Sequence, residues 1–354
     1  MQKIGIIGCG KIAQVRHIPE LSVNPNAEVV GYYNPTIARA EQMAAKYGGK
    51  VYADKDTMLA DPEIDAVVIS LANTAHAEVT IKALEAGKDV LCEKPMATTI
   101  EECEAMAAAA ERTGRALMIA QNQRLTTAHM YARKLISEDE IGRVLTFRTT
   151  FGHGGPEGWS INPGKNTWFF NKGVAAMGAM ADLGIHKTDL IQFLLEQNVV
   201  SVKATLSTVD KTDAEGKPIG VDDNAICLYT MSGGAIGTMT ASWTYYGRED
   251  NSTVLYGTKG IMKIYENPEY AIEIIKPGEQ PRKLDIEPIQ TNDNQTASGM
   301  TDLFVETLEK TDRSMLARNA FFLSGRSVIP AMRAIFAAIK SSEEGIEVRI
   351  PEND

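Results

Sequence analysis

Residues 2–13 read Gln2-Lys3-Ile4-Gly5-Ile6-Ile7-Gly8-Cys9-Gly10-Lys11-Ile12-Ala13, and the class of the fold follows from them. The apolar run Ile4–Ile7 reads as a strand. Gly8–Ala13 then forms a G-x-G-x-x-A turn, and a helical pattern continues to about Leu21. Each position has a physical task. Gly8 makes the tight turn, Gly10 lets the main chain approach a pyrophosphate, and Ala13 keeps helix and strand close. The phosphates rest on free N–H groups at the helix N-terminus, near Lys11 and Ile12. The alternative is a glycine-rich turn without a ligand. The preceding strand, the following helix and the length of the βαβ unit favour the dinucleotide.

The same alternation continues to about residue 124. Apolar runs fall at Glu28–Tyr33, Ala66–Ser70, Asp89–Cys92 and Ala116–Ala120. Helical patterns fall at about 37–47, 75–86 (followed by Gly87 where a C-cap glycine belongs) and 99–113. Continuous apolar strands between helices imply a parallel sheet covered on both faces, the doubly wound α/β pattern. Beyond Arg124 the texture changes. A helix at about 127–136 leads into the run 145–151, and a second helix spans about 178–195. Between 201 and 275 strand-like runs follow one another directly. Ser232-Gly233-Gly234 reads as a hairpin turn between 225–231 and 235–241. Helices return at about 299–309 and 325–341. The expected fold class is therefore α/β, with a Rossmann domain (1–124) and an α+β domain (125–354) built on a large open, mainly antiparallel sheet.

Composition limits the function classes. The chain has 354 residues, 44% of them hydrophobic, with 36 basic and 46 acidic residues and a net charge of -10. No Lys/Arg cluster suggests nucleic-acid binding. No uncharged apolar run reaches the roughly 20 residues of a bilayer span. The start of the chain enters a strand and meets Gly8 before a signal-peptide core could form. Cys9, Cys92, Cys103 and Cys227 are scattered without metal-ligand spacing, so free thiols in a cytoplasmic enzyme are expected.

Ligands of doubly wound sheets bind outside the carboxyl ends of the strands. Asn34 ends the second strand, where an acid would bind the adenosine ribose. It lacks the negative charge that repels a 2′-phosphate, and Arg39 stands one helical turn on. NAD and NADP both remain open, and the absence of Lys or Arg immediately after Asn34 favours NAD. The third strand ends at Ser70-Leu71-Ala72-Asn73-Thr74-Ala75-His76, which places Leu71, Asn73 and His76 toward the cofactor. The fourth ends in Glu93-Lys94-Pro95. A lysine there can bind a substrate hydroxyl as a cation, or be an ordinary solvated side chain.

Asp182-Leu183-Gly184-Ile185-His186 sets Asp182 and His186 at i and i+4 of a helix. A histidine beside an acid suits removal of a hydroxyl proton near neutral pH. A helix-surface pair is the bland alternative, and a metal pair lacks a third ligand. The segment 152–172, rich in Gly, Asn and aromatics, offers Trp159 and Trp168 for stacking on a sugar ring. His153, Asn162, Asn166, Asn171 and Lys172 offer hydrogen bonds to hydroxyls. The bland reading is a surface loop whose rings pack on the sheet.

Taken in order, G-x-G-x-x-A at 8–13, Asn73-Thr74-Ala75-His76, Glu93-Lys94-Pro95 and the run 178–186 (GAMADLGIH) resemble the Gfo/Idh/MocA family of oxidoreductases over nearly the whole chain. The resemblance implies hydride transfer between a nicotinamide dinucleotide and a secondary alcohol of a sugar, cyclitol or related polyol. It implies that Lys94 is the active-site lysine, His186 the proton acceptor and Asp182 its partner. It also implies that Asn122 and Glu93 lie at the cofactor, that Arg124 contacts substrate, and that the open sheet forms a homodimer or homotetramer. Arg124 matches the family segment in part, since Leu125 stands where an aromatic is usual. Two other readings share the fold: a non-catalytic dinucleotide sensor, which has no need of Lys94, Asp182 and His186, and an enzyme that retains NAD tightly and oxidises a sugar transiently before elimination or hydrolysis.

Overall fold

A computed structural model of the chain describes residues 1–286, 298–318 and 320–351. It divides into two compact units. The first comprises Met1–Asn122 and the described part of Gln290–Ile329. The second comprises Gln123–Ile289, as far as described, and the described part of Pro330–Asp354.

The first unit carries β1 (Gln2–Ile7), α1 (Ile18–Val23), β2 (Ala27–Tyr33), α2 (Ile37–Tyr47), β3 (Lys50–Val51), α3 (Lys55–Ala60), β4 (Ala66–Ile69), α4 (His76–Glu85), β5 (Asp89–Cys92), α5 (Ile100–Thr113) and β6 (Leu117–Ile119). The sheet order is β3-β2-β1-β4-β5-β6, and every pairing is parallel. This is the Rossmann order. It follows from residues such as Ile6, Val68 and Leu91, which are fully buried and fill both faces of the sheet. β3 and α3 were not expected. Two residues of strand carry no periodicity, and α3 is a short helix started by the Asp54 side chain accepting the Thr57 N–H.

The chain returns to this unit after the second one. α9 (Met300–Lys310) and α10 (Arg313–Ala317) belong here. Glu20 of α1 accepts from Ser298 N–H at 2.5 Å and from the Thr301 hydroxyl at 2.9 Å. Arg326 binds Glu111 and Glu104 of α5. Such contacts depend on side chains more than 200 residues apart, and no local pattern reveals them.

The second unit carries α6 (Thr127–Ser137), β7 (Val144–Gly152), α7 (Lys172–Ala175), α8 (Ile185–Leu195), β8 (Val199–Ser207), β9 (Asn224–Met231), β10 (Ile236–Ser242), β11 (Thr253–Gly257), β12 (Ile261–Ile264), β13 (Ile272–Ile275), β14 (Arg282–Leu284) and β15 (Val348–Arg349). α11 (Gly325–Glu344) ends in it. The nine strands run β14-β13-β12-β11-β7-β10-β9-β8-β15. All pairs are antiparallel except β7 with β10, which are brought side by side after the chain has passed through α8 and the β8-β9-β10 meander. The 232–234 hairpin is present as expected. Burial alternates along β9, where Ala225, Cys227 and Tyr229 point inward and Ile226 and Leu228 outward. α8 lies beneath the inner face and is buried along its whole length. Its polar side chains therefore find partners inside: Thr188 bonds the Tyr229 hydroxyl at 2.9 Å, and Gln192 Oε1 accepts the Val199 N–H at 3.1 Å. Among the described residues no helix is long and apolar enough to cross a membrane.

Candidate active site

In the first unit the site is built on the carboxyl edge of the parallel sheet. Gly8 has φ +103°, and a Cβ on it would lie 2.5 Å from the Ser70 carbonyl oxygen. Only glycine fits this crossing of β1 and β4. The Ser70 hydroxyl donates to Gly8 O at 2.7 Å, locking the two strand ends together. Gly10 is different. The nearest atom to its notional Cβ is Ser70 O at 3.9 Å, so the side that a side chain would fill is open. Open space over main-chain N–H groups at a helix start is what a pyrophosphate requires. The helix then passes through a π-turn at Ala13–His17 before α1.

Asn34 is buried, and its amide braces this turn. Oδ1 accepts the Cys9 N–H at 2.9 Å, and Nδ2 donates to Thr36 O at 2.9 Å. A carboxylate could do only the first. Burial pushes the Cys9 thiol up to about 12 against the pull of Arg39, whose charge thus reaches the glycine turn.

The Glu93-Lys94-Pro95 edge is fixed by two histidines. His17, fully buried, has Nε2 2.8 Å from Glu93 Oε1, while Glu93 Oε2 accepts the Lys94 N–H at 3.1 Å. Burial alone would raise the Glu93 pKa. His17, Arg16 and Lys94 outweigh it and hold the carboxyl down to about 2. The Lys94–Pro95 bond is cis. His76 Nδ1 stands 2.8 Å from Pro95 O and Nε2 3.1 Å from Leu71 O. Both ring nitrogens are thus engaged by the main chain. Asn73 is buried in the short turn before α4, and Asn122 opens the turn after β6. Gln121, between β6 and Asn122, is 1% exposed, and among the described residues neither atom of its amide has a hydrogen-bond partner. A buried amide with both groups unmet suits a ligand that offers a donor and an acceptor together, as a nicotinamide carboxamide does.

In the second unit the site is built around the start of α8. The Asp182–His186 segment opens in a widened turn and not in the regular α-helix expected. Met180–Gly184 is a π-turn, with Ile185 N–H reaching back to Met180 O, so Asp182 sits in a widened turn. π-turns concentrate at functional sites because they re-aim one side chain within a helix. Asp182 Oδ2 accepts the indole N–H of the fully buried Trp243 at 3.1 Å. The segment's first turn is held by Asp222: Oδ1 accepts Gly178 N–H at 2.8 Å and Oδ2 accepts Met180 N–H at 2.7 Å.

Aromatic rings connect these groups. Phe151 lies 5.9 Å from both His186 and His153, His153 is 6.1 Å from Trp159, and Trp159 is 5.2 Å from Phe169. Trp168 stacks on Phe169 at 3.9 Å, and Phe169 meets Trp243 edge-on at 6.3 Å. The series begins at His186 and returns through Trp243 to Asp182. His153 Nδ1 accepts the Gly155 N–H at 3.0 Å. Asn171 caps α7, and Asn162, Asn166 and Lys172 are exposed.

Arg124 pairs with Asp189 of α8. It is buried, with Nε 2.7 Å from Asp189 Oδ2 and a terminal nitrogen 2.5 Å from Oδ1, and it lies over the Phe193 ring. Burial raises the Asp189 pKa against the pull of that guanidinium. A bidentate pair inside a protein core fixes structure, here the segment around Arg124 against α8. No group of three or more His, Cys, Asp or Glu able to hold a metal ion occurs among the described residues. His17, Gln121, Asp222 and Trp243 were not singled out from sequence. His17 had a signal in its place four residues after Ala13. Asp222 and Trp243 lie 40 or more residues from the partners they serve.

Residues 2–121 match the oxidoreductase family with an NAD-binding Rossmann fold, and residues 129–263 match the GFO/IDH/MocA C-terminal domain. The chain belongs to the Gfo/Idh/MocA family. It is 34% identical over 256 residues to a levoglucosan dehydrogenase of Pseudarthrobacter phenanthrenivorans, a match covering 67% of this chain and 64% of that protein, a little under two thirds of its length. It is 30% identical over 273 residues to an inositol 2-dehydrogenase of Rhizobium meliloti, covering 77% of this chain and 78% of that one. A solved levoglucosan dehydrogenase, in complex with NADH and levoglucosan, shares the fold with a TM-score of 0.85 at 24% identity, covering 99% of this chain and 100% of that one. As a Gfo/Idh/MocA protein this chain binds a nicotinamide dinucleotide on its Rossmann unit.

Proposed function

We propose that this protein is an NAD-dependent oxidoreductase acting on a secondary alcohol of an uncharged sugar, anhydrosugar or cyclitol. The observation that carries the reading is the Asp182–His186 element, held by Trp243 and Asp222 and bordered by aromatic rings. Aromatic faces match the C–H faces of a pyranose or cyclitol ring, and a carboxylate matches its hydroxyls. The dinucleotide, when bound, accepts or supplies the hydride. His186 takes the proton of the reacting hydroxyl, and Asp182 binds a neighbouring hydroxyl or orients the imidazole. Lys94, anchored through Glu93 and Pro95, binds a substrate hydroxyl as a cation and stabilises developing alkoxide character. Gly8, Gly10, Lys11 and Ile12 seat the phosphates, and Asn122 and Gln121 serve the nicotinamide end.

NAD is preferred over NADP in this reading. No cation follows Asn34 directly, and a solved neighbour of the same fold holds NADH. The test is a thermal-shift titration with NADH and NADPH, followed by a 340 nm assay with levoglucosan, free aldoses and inositols. A larger rise in Tm with NADH is expected by mass action. His186→Ala and Lys94→Ala should each lower kcat by about 10²–10⁴-fold. Wild-type turnover in both variants would overturn the roles of His186 and Lys94.

The outer face of the nine-stranded sheet supports assembly into a homodimer. Ile226, Leu228, Ile236 and Tyr256 stand exposed on neighbouring strands of that face. An apolar patch on an open sheet is the kind of surface that a second copy covers.

A further inference from the structure

Two carbonyl oxygens face the two ring nitrogens of His76. Pro95 O lies 2.8 Å from Nδ1, and Leu71 O lies 3.1 Å from Nε2. A carbonyl can only accept. A neutral imidazole carries one N–H, so its other nitrogen would present a lone pair to a carbonyl lone pair. The ring is 1% exposed, so water does not relieve that contact. Turning the ring over does not help, because both partners are acceptors. Two N–H donors satisfy both contacts.

We propose that His76 is an imidazolium in the folded protein and that, in this form, it is the positioning residue tying the Lys94–Pro95 edge to the end of β4. The positioning role rests on the reading of Lys94 as an active-site residue. Pro95 O follows Lys94 directly, and Leu71 closes the turn after β4. One charged ring therefore pins together the two segments that border the cofactor edge. His17 secures the same turn from the other side through Glu93.

The Cys92 side chain also hydrogen-bonds the ring, and the acidic groups named on the elements packed against α4 are paired elsewhere. From β5, Cys92 acts on the ring, and Glu93 after it is engaged by His17. On α5, which packs against α4, Glu102 is bound to Thr98 and Thr99, and Glu104 to Arg326. On α4 itself Glu78 is paired with Lys82. The segment 70–75 carries no ionisable side chain. Burial alone would lower the His76 pKa. Cys92 and the carbonyls of Pro95 and Leu71 outweigh it and bring it up to about 9, above the ordinary 6.5. The stabilisation is therefore fully present below pH 6.5 and is lost as pH rises through about 9.

The test uses the full-length protein labelled with ¹⁵N, whose five histidines are few enough to assign by substitution. At pH 7.5 the His76 ring should show two protonated nitrogens and should lose a proton only toward pH 9. One protonated and one bare nitrogen at pH 7.5 would overturn the imidazolium. In parallel, His76→Gln, confirmed folded by thermal melt, should lower kcat at least tenfold while KM for the alcohol changes less than threefold. Unchanged kcat in the folded variant would overturn the positioning role. Because the ring spectrum is read without substrate, an inactive sugar panel would count against the enzyme reading and leave the charge state of His76 to its own result.

Discussion

Trp243 and Asp182, 61 residues apart in sequence, are joined by a hydrogen bond from the indole Nε1–H to Oδ2 at 3.1 Å. Asp182 lies in a π-turn and Trp243 just after β10, so the bond fixes the direction of the carboxylate from outside its own helix. A hydrogen bond to a charged group contributes about 1.5–3 kcal/mol. Trp243→Phe should accordingly reduce kcat/KM by about 10- to 100-fold with the NAD(H) site intact, as judged by NADH titration. Unchanged kcat/KM would show that Asp182 needs no such support.

Asp222 secures the first turn of the same element. Asp222→Ala leaves the Gly178 and Met180 N–H groups without their acceptor and should cost about 0.5–2 kcal/mol, the range of a lost cap. Gly178 is constrained on the same contact, since a Cβ there would sit 1.8 Å from Asp222 O. Gly178→Ala should cost about 1–3 kcal/mol through forced displacement. Urea denaturation of both variants checks this, and a Gly178→Ala protein as stable as wild type would contradict such close packing.

Arg124 offers a contrast between two roles. As a substrate ligand, its loss would raise KM. As the partner of Asp189 inside the core, its loss strands a buried carboxylate. Arg124→Leu should therefore destabilise the protein by about 3–5 kcal/mol. A stable variant with a raised KM would instead restore the substrate role that its position in the sequence suggests.

Lys187 gives a signed pH effect. It is fully buried and donates to Asn251 O at 2.8 Å, and burial pushes its pKa from 10.5 down to about 7. Between those values the unfolded chain binds the proton and the folded one releases it. Stability from this group therefore rises with pH from about 7 to 10.5. Lys187→Met should remove that rise. Denaturant midpoints of wild type and variant at about pH 6, 8 and 10 should differ most at the lowest pH, in favour of Met. A constant difference across the range would contradict the buried-amine account.

Local sequence was enough to specify the Rossmann unit and to single out the candidate segments of the site. The glycine turn at 8–13, the apolar strands and the segments at 93–95 and 182–186 are short, and their meaning is set by main-chain geometry and by side-chain period. The same holds for the β9–β10 hairpin, whose turn residues are adjacent. Which side chains are already engaged was settled by the packed chain and by nothing local. Arg124 is taken by Asp189, His76 by two carbonyls and Asn34 by Cys9 and Thr36. Packing also supplied Trp243 and Asp222 as supports, paired β7 in parallel with β10, and returned α9 and α10 to the first unit. The difference is one of range. Turns and periodic faces are fixed by neighbouring residues. Satisfaction of a buried polar group depends on whichever distant atom the fold brings within about 3 Å.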